Sequence, residues 1–210
     1  MPYKTVAAYA TDEITIEKSR FIAHVYPAPD EETAKGHIHT VSKKHWDATH
    51  NCYAYVIGEN GYIQKANDDG EPSGTAGVPI LETIKKNGLT DTLVIVTRYF
   101  GGIKLGAGGL VRAYTESASR GIQQASLVEK VWHQCFKLTV EYATWAKIEN
   151  RLTSIATVHR KHFTDKVSVL LSVPVPQTEQ LTLQIKEMTS GSGHLTKEGK
   201  KLVASPLHNS

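Results

Sequence analysis

Five glycines fall within the nine residues 101–109, between a continuous apolar run and an amphipathic segment. Glycine allows sharp turns and brings backbone N–H groups close to a docked group. A helix N-terminus adds unsatisfied N–H groups and a partial positive charge. The stretch therefore predicts an anion or phosphate site, with close packing of helix on strand as the equal alternative. The candidate contacts are Arg98, Gly101, Gly102, Lys104, Gly106, Gly108, Gly109 and Arg112. The spacing matches neither a Walker A loop nor GxGxxG.

A second stretch places three carboxylates within four residues, at Asp68, Asp69 and Glu71, followed by Ser73 and Thr75. We call residues 68–71 the acidic turn. Such a cluster can hold Mg²⁺ together with a substrate phosphate, or it can contact Arg or Lys on a partner protein. Because the motif contains no nucleophile, we assign no catalytic residue and expect no cofactor, with magnesium as the one alternative kept open.

His50 and Cys52 share one face of a predicted strand, but the spacing of a zinc site is absent. Cys52 is therefore predicted to be a buried structural residue. The only other cysteine is Cys135, so no disulfide framework is expected and a reducing cytoplasm is the simplest compartment.

Composition indicates a globular protein of 210 residues, with 40% hydrophobic and 21% charged residues and a net charge of +3. Residues 133–210 carry ten Lys/Arg and six Asp/Glu, a local charge of +4. This excess is compatible with a nucleic-acid partner and equally with an ordinary solvated surface. No apolar run approaches the roughly 20 residues of a membrane helix, and the N-terminal segment lacks the apolar core of a secretory signal.

The elements that must position these residues follow from hydrophobic periodicity. The predicted fold class of the chain is α+β. Its first domain, over 1–132, is predicted to be α/β, with strands near 13–25, 52–57, 62–66 and 92–96 and helices over 31–46, from Pro79 and from Leu110. Residues 133–202 read as β-α-β-β-α-β, the ferredoxin-like order, with a short last strand near 194–198. Residues 203–210 are predicted to be a loose tail.

The two unusual stretches resemble the IMPACT family, and most closely its bacterial two-domain branch, the YigZ/YvyE type. The sequences are NDDGEPSGTAGVPIL at 67–81 and VTRYFGGIKLGAGGLVRAY at 96–114. ATHNCYAYVIG at 48–58 and SRFIA at 19–23 are similar to the same family, so the resemblance covers nearly the whole chain.

The resemblance implies a first domain like the second domain of ribosomal protein S-five and a second domain like the last domain of elongation factor G. It also implies translation regulation, since eukaryotic IMPACT proteins compete for the activator of an initiation-factor kinase. The leading hypothesis is a cytosolic, non-enzymatic regulatory protein that binds RNA, the ribosome or translation factors and no membrane. Two alternatives stay open: a Mg-dependent enzyme or binder of a phosphorylated or nucleotide ligand, and a protein-binding regulator that uses the acidic turn.

Overall fold

A computed structural model of the chain describes residues 2–207. The chain divides into two compact units, residues 1–130 with 205–210, and residues 131–204. The elements of the first unit, in chain order, are β1 (Tyr3–Val6), β2 (Ala10–Ile16), β3 (Ser19–Pro27), α1 (Glu31–Lys44), β4 (His50–Ile57), β5 (Ile63–Asn67), α2 (Gly77–Lys86), β6 (Thr92–Tyr99), α3 (Gly106–Gln124) and the start of β7 (Leu127–Val140).

The first unit is built on an antiparallel sheet with the order β2-β3-β6-β4-β5. Its central strand β6 is buried along almost its whole length, as the apolar run TLVIV predicts. Helices α2 and α3 pack on one face, where Ile80, Tyr114 and Ile122 join the core. Helix α1 packs on the other face through Ala34 and Val41. The sheet therefore holds β6 between two apolar layers.

Local signals explain where the helices begin and end. The Asp30 side chain accepts a hydrogen bond from the Thr33 amide at the start of α1, which is the predicted N-cap. Helix α2 ends at Lys86 with Asn87 as its C-cap, and Gly88 then has a φ of +65°. Helix α3 begins at Gly106, four residues before the predicted start at Leu110. Three of the predicted loop glycines therefore belong to the first turn of α3.

The second unit contains the rest of β7, α4 (Tyr142–Ile155), β8 (Thr157–Phe163), β9 (Val167–Pro174), a 3₁₀ turn (Val175–Gln177), α5 (Thr178–Met188) and β10 (His194–Pro206). Its strands lie in the order β10-β7-β9-β8, which confirms the predicted β-α-β-β-α-β arrangement. Both helices contribute to one core, with Trp145 and Leu152 from α4 and Leu181 from α5.

Strand β10 is longer than the predicted strand at 194–198, because it continues to Pro206. The predicted tail of 203–210 thus falls partly on this strand, while 208–210 lie outside the described residues. None of the described helices combines the length and the apolar character needed to cross a membrane.

Candidate functional site

Asp68 of the acidic turn is a helix cap. Its Oδ1 accepts hydrogen bonds from the amides of Ala76 (3.0 Å) and Gly77 (2.8 Å), and its Oδ2 accepts from the Gly74 amide (2.8 Å). Partial burial opposes ionisation, but these three amides together hold the pKa of Asp68 below its usual range. Since Gly77 opens α2, the carboxylate fixes the loop to the start of that helix.

Asp69 fixes the same loop to strand β4. Its Oδ2 accepts a hydrogen bond from the Asn51 amide at 2.6 Å, and its own amide donates to Asn67 Oδ1 at 2.8 Å. The His50 ring donates from Nδ1 to the Asp69 carbonyl oxygen at 2.7 Å. These bonds hold Asp69 at a φ of +45°, an uncommon backbone conformation for a residue other than glycine.

Glu71 and Arg98 form a buried ion pair. Arg98 Nη1 donates to Glu71 Oε1 at 2.6 Å, and the two side chains are only 6% and 3% exposed. The hydroxyl of Tyr114 donates to the same carboxylate oxygen at 2.8 Å. The pair therefore connects three parts of the first unit: the acidic turn, strand β6 and helix α3.

The sequence predicts Arg98 as one of the cationic contacts of an anion bound at the glycine loop. In the structure its charge is paired with Glu71, and its guanidinium lies against the rings of Phe21 and Phe100. A charge that is already paired and desolvated has little to gain from a further anion.

Cys52 lies beside this network as an interior thiol. It is fully buried, as predicted, and its Sγ donates to the Asp68 carbonyl oxygen at 2.9 Å and lies 3.4 Å from the Tyr114 hydroxyl. Burial raises the pKa of Cys52 to about 12, so the thiol is protonated at neutral pH. A protonated, enclosed thiol is a poor nucleophile.

The remaining polar residues of the motif serve the turn itself. Thr75 donates from both its hydroxyl and its amide to the carbonyl oxygen of Pro72, while Ser73 is exposed. Among residues 2–207 no three His, Cys, Asp or Glu side chains are arranged to hold a metal ion.

The glycine loop divides into two parts, of which the first is packed. The amide of Phe100 donates to Thr49 Oγ1 at 3.0 Å, and that of Gly101 donates to Ser19 Oγ at 3.1 Å. A Cβ atom on Gly101 would lie 2.0 Å from the backbone of Lys18. Gly101 therefore allows close approach of two chain segments, and its amide is not available to a ligand. Gly109 is likewise a packing position, because a Cβ there would lie 2.9 Å from Leu105 Cβ.

The second part of the loop faces solvent. Gly102 turns the chain at a φ of +87°, and Gly106 leads into α3 at a φ of +69°. The first amides of a helix lack partners within it, and no side chain of the described residues caps this end of α3. Gly106, Ala107 and Gly108 are exposed there.

We call this helix end, residues 106–108, the α3 start, and cationic and apolar side chains lie close to it in the sequence. Lys104 and Arg112 are exposed, and Arg112 Nη1 would lie 3.8 Å from a Cβ on Gly108. Neither cation forms an ion pair with a described carboxylate. Phe100 is 47% exposed and Ile103 37%. Free amides, two cations and an aromatic ring are the groups that bind a phosphate with an attached base or sugar.

Sequence reasoning missed three residues that build this region. Ser19 Oγ accepts a hydrogen bond from the Gly101 amide, and Thr49 Oγ1 accepts one from the Phe100 amide. The Tyr114 hydroxyl donates a hydrogen bond to Glu71. Each acts across the tertiary structure on a partner distant in sequence, Ser19 from β3, Thr49 from the loop before β4 and Tyr114 from α3, so no local spacing could indicate its role.

Comparison with known proteins follows the same division of the chain. Residues 17–122 match the model of the Impact N-terminal domain, and residues 138–192 match a domain of unknown function, DUF1949. The chain is 47% identical to IMPACT family member YvyE of Bacillus subtilis over 94% of this chain and 91% of that protein. It is 32% identical to IMPACT family member YigZ of Escherichia coli, over 89% and 93% of the two chains. A solved structure described as a hypothetical protein is 30% identical, with a TM-score of 0.63 over 92% of this chain and 96% of that one.

Proposed function

Since this chain belongs to the IMPACT family, we propose that it is a non-enzymatic regulatory protein of translation that binds RNA through the α3 start. The proposed ligand is the sugar-phosphate backbone, held by the amides of Gly106, Ala107 and Gly108 and by the side chains of Lys104 and Arg112. The link to translation is the one that the sequence resemblance implies.

The observation that carries the proposal is the uncapped, exposed N-terminus of a 19-residue helix with two unpaired cations beside it. Backbone amides and the helix dipole favour phosphate oxygens there, and Lys and Arg add charge-assisted bonds. The exposed ring of Phe100 offers a surface on which a base can stack. These groups suit a nucleotide polymer better than a small inorganic anion.

The two alternative functions have weaker support because the acidic turn faces inward. Asp68 is occupied by three amides, and Glu71 by Arg98 and Tyr114. A magnesium ion or the arginine of a partner protein would have to displace these bonds. Only Asp69 is exposed and still presents an unoccupied carboxylate oxygen.

The proposal is tested by placing a negative charge at the α3 start. Gly108 has room for a side chain, so both Gly108→Glu and Gly108→Gln should fold. Glutamate in the first turn stabilises a helix by about 0.3–1 kcal/mol, and removing glycine from a helix adds about 0.5–1 kcal/mol. We expect Gly108→Glu to be at least as stable as the native protein and yet to bind RNA at least about tenfold more weakly than Gly108→Gln, because the carboxylate repels phosphate.

The measurement is fluorescence anisotropy with a fluorescein-labelled RNA hairpin, in salt from about 50 to 200 mM, a range over which phosphate contacts weaken markedly. Thermal unfolding of each variant provides the control for folding. Equal affinities of the glutamate and glutamine variants would contradict a phosphate contact at Gly108. Failure of the native protein to retain the hairpin even at low salt would reject RNA binding altogether.

A further inference from the structure

The sheet of the second unit has one face that its helices do not cover. Residues Phe136, Leu138, Val169 and Leu171 pack with α4 and α5 in the core. Because successive side chains of a strand point to opposite faces, the alternate positions of β7, β8 and β9 lie on the other side. We call this side the basic face. Its members in those strands include His133, Cys135, Lys137, Thr139, Thr157, Arg160, His162, Ser168, Leu170 and Ser172. Lys201 and His159 reach it by hydrogen bonds.

Strand register places two cations in one row of this face. Lys137 pairs with Leu170, and Arg160 pairs with the same residue from the other side. Two strand spacings separate Lys137 from Arg160, about 10 Å at the Cα atoms. Both side chains are exposed, and neither forms an ion pair with a carboxylate of the described residues.

A chain of hydrogen bonds brings a third cation onto the face. Lys201 Nζ donates to His159 Nδ1 at 3.3 Å, His159 Nε2 then donates to Ser172 Oγ at 2.8 Å, and Ser172 Oγ lies 3.2 Å from His133 Nδ1. An ammonium group can only donate, which fixes the proton of His159 on Nε2. Burial and the nearby Lys201 lower the pKa values of His133 and His159, so Lys201 supplies the charge of this group at neutral pH.

The charge of the face is not balanced locally. None of its members in β7, β8 and β9 is an aspartate or glutamate. Two nearby cations that are not members, Lys161 in β8 and Lys166 in the turn before β9, pair with Glu149 and Glu141. The ring of Trp145 lies against Lys161, which belongs to the helix-covered side. The basic face thus combines unpaired positive charge with the partly exposed hydroxyls of Thr139 and Ser168, while His133 and Ser172 are buried within it. Its members in β7, β8 and β9 include no Phe, Tyr or Trp.

We propose that the basic face binds the phosphate backbone of RNA without reading its bases. Charge complementarity selects a polyanion, and the lack of Phe, Tyr and Trp among the members disfavours the stacking that single-stranded binders use. The inference rests on the proposed function and adds a second contact, in the second unit, through Lys137, Arg160 and Lys201.

The test compares two triple variants in anisotropy titrations with the same labelled RNA hairpin. The first, Lys137→Gln/Arg160→Gln/Lys201→Gln, removes the cations of the basic face. We expect its affinity to fall about tenfold or more at low salt. We also expect the slope of log K against log salt to become shallower by about two to three, because each lost phosphate contact removes nearly one unit.

The control, Lys147→Gln/Arg151→Gln/Lys186→Gln, removes the same number of exposed charges from α4 and α5. Its affinity should change by no more than about threefold, the effect expected of distant charge alone. Circular dichroism and thermal unfolding report whether each triple variant is folded, and the single variant Lys137→Gln replaces the triple if it is not.

The inference would be overturned if both triple variants bound the hairpin equally weakly, or if the first triple variant bound it as tightly as the native protein does. If the native protein binds poly-glutamate more tightly than the hairpin, and the first triple variant loses that binding, the inference is overturned in favour of an acidic protein partner. If Gly108→Glu loses affinity for the hairpin while the first triple variant keeps the native affinity, RNA binding by the basic face is rejected and the proposed function stands. If the native protein binds no RNA, both the proposed function and RNA binding by the basic face are rejected.

Discussion

Replacing Arg98 with alanine is expected to lower the free energy of unfolding by about 3–5 kcal/mol, the usual cost of leaving one member of a buried ion pair alone. The Glu71 side chain would lose its cationic partner at a position that is only 3% exposed, with the Tyr114 hydroxyl as its remaining hydrogen-bond donor. The loss should be large because the Arg98 guanidinium also lies over the rings of Phe21 and Phe100, at 5.5 Å from each centroid.

Denaturant unfolding of three variants measures this effect. Arg98→Ala and Glu71→Gln each break the pair, whereas the combined Arg98→Met/Glu71→Gln variant leaves no unpaired charge. The combined variant should therefore be more stable than Arg98→Ala. If Arg98→Ala lowers the free energy of unfolding by less than about 1 kcal/mol, the Glu71–Arg98 pair is solvated in the way that surface ion pairs are.

Replacing Gly101 with alanine should destabilise the first unit by more than the roughly 1–3 kcal/mol of ordinary overpacking. The added Cβ would lie 2.0 Å from the carbonyl group of Lys18 and 2.5 Å from the Ser19 amide nitrogen. These are backbone atoms of the β2–β3 turn, which cannot rotate away as a flexible side chain can. The turn has to move, and the bond between the Gly101 amide and Ser19 Oγ is then lost.

The matched control is Gly36→Ala in α1, where a Cβ meets no atom within 4 Å. This substitution should stabilise the protein by about 0.5–1 kcal/mol, since alanine favours a helix interior. Melting temperatures of the two variants should thus move in opposite directions. A Gly101→Ala protein as stable as the native one would show that the loop adapts freely and that Gly101 has no packing role.

Much of the fold could be predicted because its signals are local. The continuous apolar run at Thr92 to Val96 predicts a strand buried on both faces, and Asp30 predicts the start of α1. Alternating and helical spacings after residue 133 were sufficient for the ferredoxin-like order. The ends of strands were harder to predict from the sequence. Strand β10 extends to Pro206, beyond the residues 194–198 at which a strand is predicted.

The candidate site was predicted only in part, since its assignments depend on partners distant in sequence. Arg98 and Lys104 look alike as cations near glycines, yet one is paired with Glu71 and the other is exposed. Gly101 and Gly108 also look alike, but only Gly101 touches another backbone segment. Of the two interpretations of the glycine loop, packing accounts for Gly101 and Gly109, while the proposed anion binding uses Gly106 and Gly108.

The most direct test of phosphate binding at the α3 start is an NMR titration of ¹⁵N-labelled protein with the RNA hairpin. We predict that the amide resonances of Gly106, Ala107 and Gly108 shift and saturate at the affinity measured by anisotropy. The amides of Phe100 and Gly101, which donate to Thr49 and Ser19, should shift less. Unchanged resonances at Gly106, Ala107 and Gly108, while RNA binds and other resonances move, would contradict the account.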